Sequence, residues 1–362
     1  MSLQEATQPR SLYRMTIVER LPAVGLVHHV DAQNTVWATK KRNILCRRDG
    51  AWQRLASFPF SSPRDFFGWN RLASRAARAD QCNVFVNSKG RVLGIRANRV
   101  YSLEESGELC ELFAIAGDCV LRRGICEDPQ GWTYFGEYSR NTQRAPVRIW
   151  RLSPDLDSYE LAHEFPSGSI RHVHCVLRDP YDDAIWVTVG DFKNECYLLR
   201  TDNRFQSLER FGDGTQIWRA VVLYFTADHV CWLTDSHLEQ NYACRMDRRR
   251  GELEIGAKIP CSGWYGSTTT EGLHVGFTTV ERGPGIQRNE SSIFVSEDAF
   301  HWQEVGSFRK DIWRPVRLFK FGVISCPSGA VTSRDFFISG EGLAGLDGVA
   351  MRLRFDRRDC QP

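Results

Sequence analysis

Short apolar runs recur along the whole chain and are separated by Gly, Asp, Asn and Ser. Residues 169–191 show the pattern clearly, because two apolar stretches flank an Asp-Pro turn at Asp179 and Pro180. The runs are alternating or continuous in hydrophobicity, and helical periodicity is nearly absent. The pattern therefore predicts an all-β chain built from antiparallel hairpins.

One sequence element repeats at intervals of roughly 43 to 56 residues. It is a strand that ends in a small hydroxyl or similar residue, followed two positions later by an acidic residue and then by an aromatic or aliphatic one. Its copies begin at Cys46, Ser102, Ser153, Thr201, Met246, Ser296 and Ser339. Seven copies at this period predict a seven-bladed β-propeller, with six blades as the alternative.

The predicted propeller occupies residues 12–356 as a single domain. Residues 1–11 are expected to form a disordered N-terminal tail, and residues 357–362 a C-terminal tail. Residues 12–19 have the pattern of a further strand, which could pair with the last blade and close the ring. Residues 61–80 are expected to form a longer insertion with a helical turn.

Two further repeats concern charged residues. The predicted first strand of successive blades begins near an arginine, at Arg123, Arg171, Arg219 and Arg314, with Tyr265 in the intervening blade. The predicted second strand ends in a carboxylate, at Glu137, Asp191, Asp235 and Glu281. In a propeller these two strand ends face the same mouth of the central channel, so all eight charged groups are expected to converge there. They would form either a ligand pocket or a ring of salt bridges between blades.

His172 and His174 occur in only one blade. Alternate residues of a strand share a face, so both rings are expected on one side and Arg171 on the other, unless the strand start is kinked. As metal ligands the two histidines would need a third partner that the sequence does not show, and neither a metal nor a cofactor is predicted. One of them could be a buried, hydrogen-bonded side chain, or the base that acts on a uronate whose carboxylate an arginine neutralises.

Other residues near the predicted mouth extend the list of candidates. Glu137 and Asp191 could instead form the acid and base of a glycoside hydrolase. Tyr265 is a further catalytic candidate, and Trp218 and Trp313 could stack on sugar rings or belong to the core. The pair His28-His29 is not expected to bind a ligand, because neighbouring residues of a strand face opposite sides.

Two of the repeated turns carry a family resemblance. Ser153-Pro154-Asp155 with Tyr159, and Ser296-Glu297-Asp298 with Trp302, resemble the Asp-boxes of sialidase-like (BNR-repeat) propellers, although both lack the Gly-x-Thr before the aromatic residue. The resemblance implies a propeller fold and structural Asp-box turns, and sialidases hold a sugar carboxylate with three arginines from different blades. This sequence departs from them in lacking a Phe/Tyr-Arg-Ile-Pro motif, since residues 313–316 are Trp-Arg-Pro-Val, and in lacking a recognisable Tyr/Glu nucleophile pair.

Composition narrows the classes further. The net charge of +3 does not suggest nucleic acid as a partner, and no apolar run is long enough to span a membrane. The twelve cysteines are scattered without a CxxC pair, and the N-terminus as written has no apolar signal segment. These features predict a reducing, cytoplasmic compartment.

The predicted function is therefore a carbohydrate-active propeller. It would bind an anionic glycan of the uronate or sialate type at the channel mouth, and cleave it by glycoside hydrolysis or β-elimination. The alternatives are a non-catalytic scaffold or interaction propeller, and a cytoplasmic factor in polysaccharide biosynthesis. Neither the substrate nor the oligomeric state is predicted.

Overall fold

The structure, a computed structural model, describes residues 11–358 of the chain and consists of seven antiparallel sheets. The sheets are the blades of a β-propeller, and each lies against the next around a central channel. Strand β1 (Tyr13–Leu21) comes first in the chain but belongs to the last blade. The predicted all-β, seven-bladed fold is confirmed.

The first four blades follow β1 in chain order. Blade 1 contains β2 (Leu26–Val30), β3 (Val36–Lys40), β4 (Asn43–Arg48) and β5 (Ala51–Ser57). Blade 2 contains β6 (Asn83–Val86), β7 (Val92–Arg96), β8 (Arg99–Leu103) and β9 (Leu109–Ala114). Blade 3 contains β10 (Ile125–Glu127), β11 (Thr133–Gly136), β12 (Val147–Leu152) and β13 (Tyr159–Phe165). Blade 4 contains β14 (Val173–Arg178), β15 (Ile185–Val189), β16 (Cys196–Thr201) and β17 (Glu209–Gly214).

The last three blades complete the ring. Blade 5 contains β18 (Tyr224–Phe225), β19 (His229–Leu233), β20 (Asn241–Asp247) and β21 (Leu253–Ile259). Blade 6 contains β22 (Ser262–Thr268), β23 (His274–Thr279), β24 (Glu290–Ser296) and β25 (Gln303–Arg309). Blade 7 contains β26 (Val323–Ser325), β28 (Phe336–Glu341), β29 (Ala350–Arg357) and β1, while the short β27 (Ser328–Gly329) pairs with β2 of blade 1.

Strand β1 closes the ring. It forms the outermost strand of blade 7 and pairs antiparallel with β29 from Tyr13↔Arg357 to Leu21↔Ala350. The first and last parts of the chain thus build one sheet, which confirms the closing strand predicted over residues 12–19.

Helices are confined to loops that join successive blades. A 3-10 helix (Phe66–Trp69) and α1 (Arg71–Ala77) lie between blades 1 and 2, which confirms the helical insertion predicted within residues 61–80. A second 3-10 helix (Gln216–Trp218) precedes blade 5, and α2 (Val316–Phe319) precedes blade 7. No described helix is long and apolar enough to cross a membrane.

Burial explains the two kinds of apolar run. Inner strands such as β15 are buried at every position because their blade is covered on both faces, so their sequences are continuously apolar. Outer strands such as β13 and β17 are largely exposed and therefore contain alternating or charged residues. The hydrophobic core consists of the layers between neighbouring blades.

Two repeat assignments are wrong at blade 7. The copy that begins at Ser339 starts within β28 and continues into the turn before β29. These are the second and third strands of this blade, so the copy does not precede a fourth strand. Residues 313–317 do not form a first strand, because they lead into α2, and β26 begins only at Val323. The fourth strand of blade 7 is β1, which precedes all the other strands in sequence. Blade 7 therefore has no turn that leads from a third to a fourth strand, and the repeated turn sequence is not expected there.

Other predictions concern the termini and the cysteines. Most of both predicted tails, residues 1–10 and 359–362, lies outside the described residues. The eleven described cysteines are unpaired, and ten of them are buried. Buried thiols of this kind pack as small hydrophobic side chains.

Candidate functional site

The first strand of blade 4 begins with an irregular segment. Arg171 and His172 precede β14, and the register between β14 and β15 shifts between Val173 and Cys175. This is the kink at the strand start that lets residues of both parities turn the same way. As a result Arg171, His172 and His174 all reach Asp191, which lies just beyond the end of β15.

Asp191 is the centre of a buried cluster of side chains, which we call the Asp191 cluster. The cluster lies at one end of the central channel, and we call this end the charged mouth. His174 Nε2 lies 3.1 Å from Asp191 Oδ1, and His172 Nε2 lies 3.4 Å from Oδ2. The two Nε2 atoms are 3.1 Å apart. Arg171 donates from Nη1 to Oδ2 at 2.8 Å. All of these groups except Arg171 are buried.

Arg219 connects this cluster to blade 5. Its Nη2 lies 3.2 Å from Asp191 Oδ1 and 3.1 Å from Asp235 Oδ2. Asp235 also accepts a 2.7 Å hydrogen bond from Trp264 Nε1 of blade 6. Three blades are therefore linked through two carboxylates and one guanidinium.

The carboxyl groups of this mouth differ in their electrostatic environment. Burial raises the pKa of Asp235, although Arg219 opposes the shift. Burial and the neighbouring Asp235 together raise the pKa of Glu281 to about 8. Glu281 is thus protonated at neutral pH. The Asp191 carboxylate accepts a charge-assisted hydrogen bond from Arg171 and forms an ion pair with Arg219.

Glu137 does not join the cluster. Its carboxylate accepts hydrogen bonds from Ala116 N at 3.0 Å, from Arg148 N at 3.2 Å and from Trp150 Nε1 at 3.1 Å. Asp191, Asp235 and Glu281 stand two residues beyond the end of their strands, whereas Glu137 stands one residue beyond β11. Side chains alternate along extended backbone, so Glu137 turns away and ties blade 3 to the loop from blade 2.

Two of the four repeated arginines also lie elsewhere. Arg123 donates from Nη1 to Pro327 O at 2.8 Å and lines a cavity that opens at the opposite end of the channel. Arg314 stands on the exposed loop before α2 and donates to Asp311 O at 2.9 Å. The predicted convergence of all four arginines and all four carboxylates on one site is therefore wrong for Arg123, Arg314 and Glu137.

The aromatic candidates occupy three different environments. Tyr265 is buried in β22 and belongs to the core that faces the channel, and burial raises the pKa of its hydroxyl above the ordinary range. Trp218 is buried and stacks on Trp232 at a ring distance of 5.3 Å. Trp313 is exposed, with its ring 6.2 Å from Phe319. None of these geometries excludes or establishes the predicted roles of Tyr265, Trp218 and Trp313.

Several residues of this mouth were missed by sequence reasoning. The Tyr138 ring lies 4.2 Å from the His172 ring, and His237 Nδ1 lies 3.3 Å from Arg219 Nη1. Glu341 ends β28 and pairs with Lys320 at 3.4 Å, so blade 7 also has a carboxylate at the end of its second strand. The signal for Glu341 was present in its position after an apolar run, but the misassigned copy at Ser339 concealed it.

The His28-His29 pair behaves as its spacing predicts. His28 Nε2 lies 2.9 Å from Thr39 Oγ1, while His29 Nδ1 lies 2.7 Å from Ser328 Oγ in the neighbouring strand β27. Burial lowers the pKa of His28 to about 3 and that of His29 to about 4, so both rings are neutral. The two rings therefore have separate partners.

A cavity lies at the other end of the channel. It has a volume of about 720 Å³, and Arg123, Leu177, Tyr181, Glu271 and His274 are among the residues that line it. These residues belong mainly to the ends of first strands and to the loops that join first to second strands. The Asp191 cluster and this cavity are thus on opposite mouths.

The loops around the charged mouth are rich in exposed basic residues. These loops join second to third strands and each blade to the next. Their exposed basic residues are Lys41, Arg78, Arg140, Lys193, Arg282, Arg288, Arg314 and Arg317. Within residues 11–358, the exposed acidic residue on these loops is Glu239. The rim of this mouth is therefore positively charged.

Comparison with known proteins establishes the fold. No known family model matches the chain, and no curated protein sequence matches it significantly. The chain is similar to a chain of the mitotic checkpoint complex, with a TM-score of 0.56, 10% identity, and coverage of 99% of this chain and 98% of that one. It is also similar to the extracellular domain of a putative one component system from B. thetaiotaomicron, with a TM-score of 0.56, 11% identity, and coverage of 93% of this chain and 39% of that one. At such low identity the likeness shows the propeller fold alone.

Proposed function

We propose that the protein binds an anionic ligand of the acidic-sugar class at the charged mouth. The observation that carries this proposal is the position of the Asp191 cluster beneath a rim whose exposed charges are nearly all basic. A positive rim attracts an anion to the mouth, and arginine presents paired planar donors that suit a carboxylate.

Arg171 is the side chain best placed to meet such a ligand. Its side chain is 22% exposed, whereas that of Arg219 is 6% exposed and its guanidinium is already shared between two carboxylates. Arg171 is held by Asp191 and by a 2.8 Å hydrogen bond from Nε to Arg140 O. A guanidinium fixed in this way loses little conformational freedom when it binds an anion.

The carboxyl groups give the mouth a capacity for acid–base chemistry. Glu281 retains its proton at neutral pH, since its pKa is about 8, and so it can donate a proton to a leaving group. Enzymes that cleave glycans need such an acid beside an ionised group. We therefore extend the proposal to cleavage of the bound acidic sugar.

A binding experiment tests the first part. Calorimetry should compare oligosaccharides that contain uronate or sialate residues with neutral oligosaccharides of the same length. We expect binding of the acidic series only, and Arg171→Ala should weaken it at least about tenfold, the loss of one charge-assisted contact. Arg148→Ala is the matched control, because Arg148 forms an exposed ion pair with Glu164 on the outer strands of blade 3. Equal affinity for acidic and neutral sugars, or an unchanged affinity in Arg171→Ala, would contradict the proposal.

A turnover experiment tests the second part. Release of reducing ends reports hydrolysis, and absorbance of an unsaturated product reports β-elimination. Glu281→Gln should retain ligand affinity but lose turnover of any substrate that wild-type protein cleaves. If the wild-type protein binds the sugar but does not cleave it, the cleavage proposal is refuted and the protein is a sugar-binding protein.

A second candidate function is a non-catalytic interaction propeller. It is favoured by Arg219 and Glu137, whose hydrogen bonds join neighbouring blades in the manner of structural ties. In that case Arg171→Ala and Glu281→Gln would change stability and no ligand would bind at the charged mouth. The calorimetric series separates the two functions.

A further inference from the structure

The outward-facing nitrogen of each histidine in the Asp191 cluster is held by the backbone. His172 Nδ1 lies 2.8 Å from Ser139 O, and His174 Nδ1 lies 3.0 Å from Ala220 O. A carbonyl oxygen only accepts hydrogen bonds, so both Nδ1 atoms carry a proton and donate it. In a neutral ring the remaining nitrogen, Nε2, is then a bare acceptor.

With both rings neutral, three acceptors face one another. The Nε2 atoms of His172 and His174 are 3.1 Å apart, and they lie 3.4 Å and 3.1 Å from the two oxygens of Asp191. Groups with lone pairs repel at this distance unless a cation lies between them. All three side chains are more than nine-tenths buried, so water does not screen the repulsion.

We propose that His172, His174 and Asp191 bind a divalent transition-metal ion, with Zn²⁺ as the best match to the donor set. Two imidazole nitrogens and one carboxylate are a common ligand set for a zinc ion that keeps one position open. Ligand atoms at about 2.0 to 2.2 Å from Zn²⁺ lie about 3.3 to 3.5 Å apart along the edges of a tetrahedron. The Nε2–Nε2 separation of 3.1 Å and the nitrogen–oxygen separations of 3.1 Å to Oδ1 and 3.4 Å to Oδ2 of Asp191 are close to those edges.

The surroundings of the three ligands support a metal site in two ways. Histidine ligands of a metal usually donate the other ring N–H to a carbonyl or a carboxylate, as both do here. The mouth also contains two further carboxyl groups, Asp235 and Glu281, and Glu281 can lose its proton when a cation binds nearby. Deprotonation of Glu281 would then offset part of the charge of a divalent ion.

The open coordination position would lie at the charged mouth, beside Arg171. An anionic ligand held by that arginine could reach the metal directly. The metal site does not depend on the proposed function, because its ligands are defined by geometry within the protein. Failure of sugar binding would leave the metal proposal intact, and the reverse also holds.

Metal binding by the full chain tests the proposal. Protein treated with a chelator and then dialysed should bind one equivalent of Zn²⁺ by calorimetry and by elemental analysis. With Co²⁺ in place of Zn²⁺, visible absorption bands should report four-coordinate geometry. His174→Gln and Asp191→Asn should each weaken Zn²⁺ at least about a hundredfold, because loss of a direct ligand exceeds the tenfold to hundredfold effect of an outer-shell change.

Controls separate metal loss from misfolding. His237→Gln is the matched control, since His237 faces Arg219 but is not one of the three ligands, and it should bind Zn²⁺ like wild type. Pulsed electron paramagnetic resonance of the Cu²⁺-loaded wild type needs no variant and should count two coordinated imidazoles. Less than a tenth of an equivalent of bound metal, binding unchanged in both ligand variants, or a Cu²⁺ spectrum without coordinated imidazole would overturn the proposal.

Discussion

Asp191 owes its position to the glycine before it. Gly190 has a φ of 95°, and a Cβ at this residue would lie 1.8 Å from Glu195 O, so only glycine fits. The turn that Gly190 permits is closed by Glu195, whose Oε1 accepts from the backbone N–H of Asp191 at 3.1 Å and of Phe192 at 2.8 Å. The carboxylate of Asp191 is thereby aimed at the two histidines by backbone geometry.

Glu281 should control how stability changes with pH. Its pKa rises from an ordinary value of 4.5 to about 8 on folding, so the folded state binds more protons than the unfolded state between these values. Stability from this group is complete below pH 4.5 and is lost as the pH rises through 8. Glu281→Gln should remove the loss and be more stable than wild type at pH 9, by about 1 to 3 kcal/mol.

Urea unfolding at pH 5, 7 and 9 measures this effect. Glu252→Gln serves as control, because Glu252 is exposed and its side chain pairs only with the exposed Arg250 among the described ion pairs. A free energy of unfolding that falls equally between pH 5 and pH 9 in wild type and in Glu281→Gln would disprove the assignment.

The sequence predicts where these residues lie along the strands better than it predicts which way their side chains point. Asp191, Asp235 and Glu281 were recognised from the repeat, and Arg171 was placed at the correct strand start. The orientation of Glu137 depends on a difference of one residue in where β11 ends, which repeat spacing does not resolve. The kink that brings Arg171 beside His172 arises from a register shift between two strands, which a single strand does not encode.

At the scale of the elements, Arg219 acts as a tie between blades 4 and 5. Its guanidinium is buried and shared between Asp191 and Asp235, so removal would leave the buried Asp235 without a cationic partner and Asp191 with Arg171 alone. We expect Arg219→Ala to lower the free energy of unfolding by about 3 kcal/mol or more. Denaturant unfolding at pH 7 measures the loss.

An exposed ion pair provides the comparison. Arg245→Ala removes a partner of Glu254 on the outer strands of blade 5, where the pair is worth about 0 to 1 kcal/mol. If Arg219→Ala were no more destabilising than Arg245→Ala, Arg219 would not tie the blades together.

The first strands show where element prediction from sequence fails. Residues 313–317 resemble the other first strands in sequence, yet they lead into the four-residue helix α2. A helix this short has no periodicity to reveal it. Arg219 directly follows the 3-10 helix Gln216–Trp218, and the first strand of its blade, β18, begins only at Tyr224 and has two residues.

At the scale of the whole molecule, stability depends on closure of the ring. The ladder between β1 and β29 buries Leu21, and Met15 packs against the same core. A chain that starts at Pro22 should therefore unfold at a midpoint at least about 5 °C lower than the full chain. Differential scanning calorimetry measures the midpoint.

A synthetic peptide tests closure directly. A peptide of residues 11–21 added in excess should reverse most of the decrease in the unfolding midpoint of the truncated chain, because it can pair with the free edge of β29. A scrambled peptide of the same composition should not. Equal midpoints for the truncated and full chains would show that β1 does not contribute to closure.

The number of blades could be predicted because each blade repeats one hydrophobic pattern. The closing strand was also predictable, since residues 12–19 have strand character but lie outside the repeats that define the blades. The 720 Å³ cavity was not, because Arg123, Tyr181 and Glu271 come from three blades and meet only through the packing of the ring. These residues come together only when the blades are assembled into the ring.

The closing strand also imposes an order of events during synthesis. A ribosome makes β1 before its partner β29, so all the strands between them emerge while β1 has no partner strand. Ile17 and Val18 of β1 remain partly exposed even in the finished protein, at 40% and 41%. During translation β1 therefore exposes apolar side chains. The ring closes only after β29 has left the exit tunnel and can pair with β1.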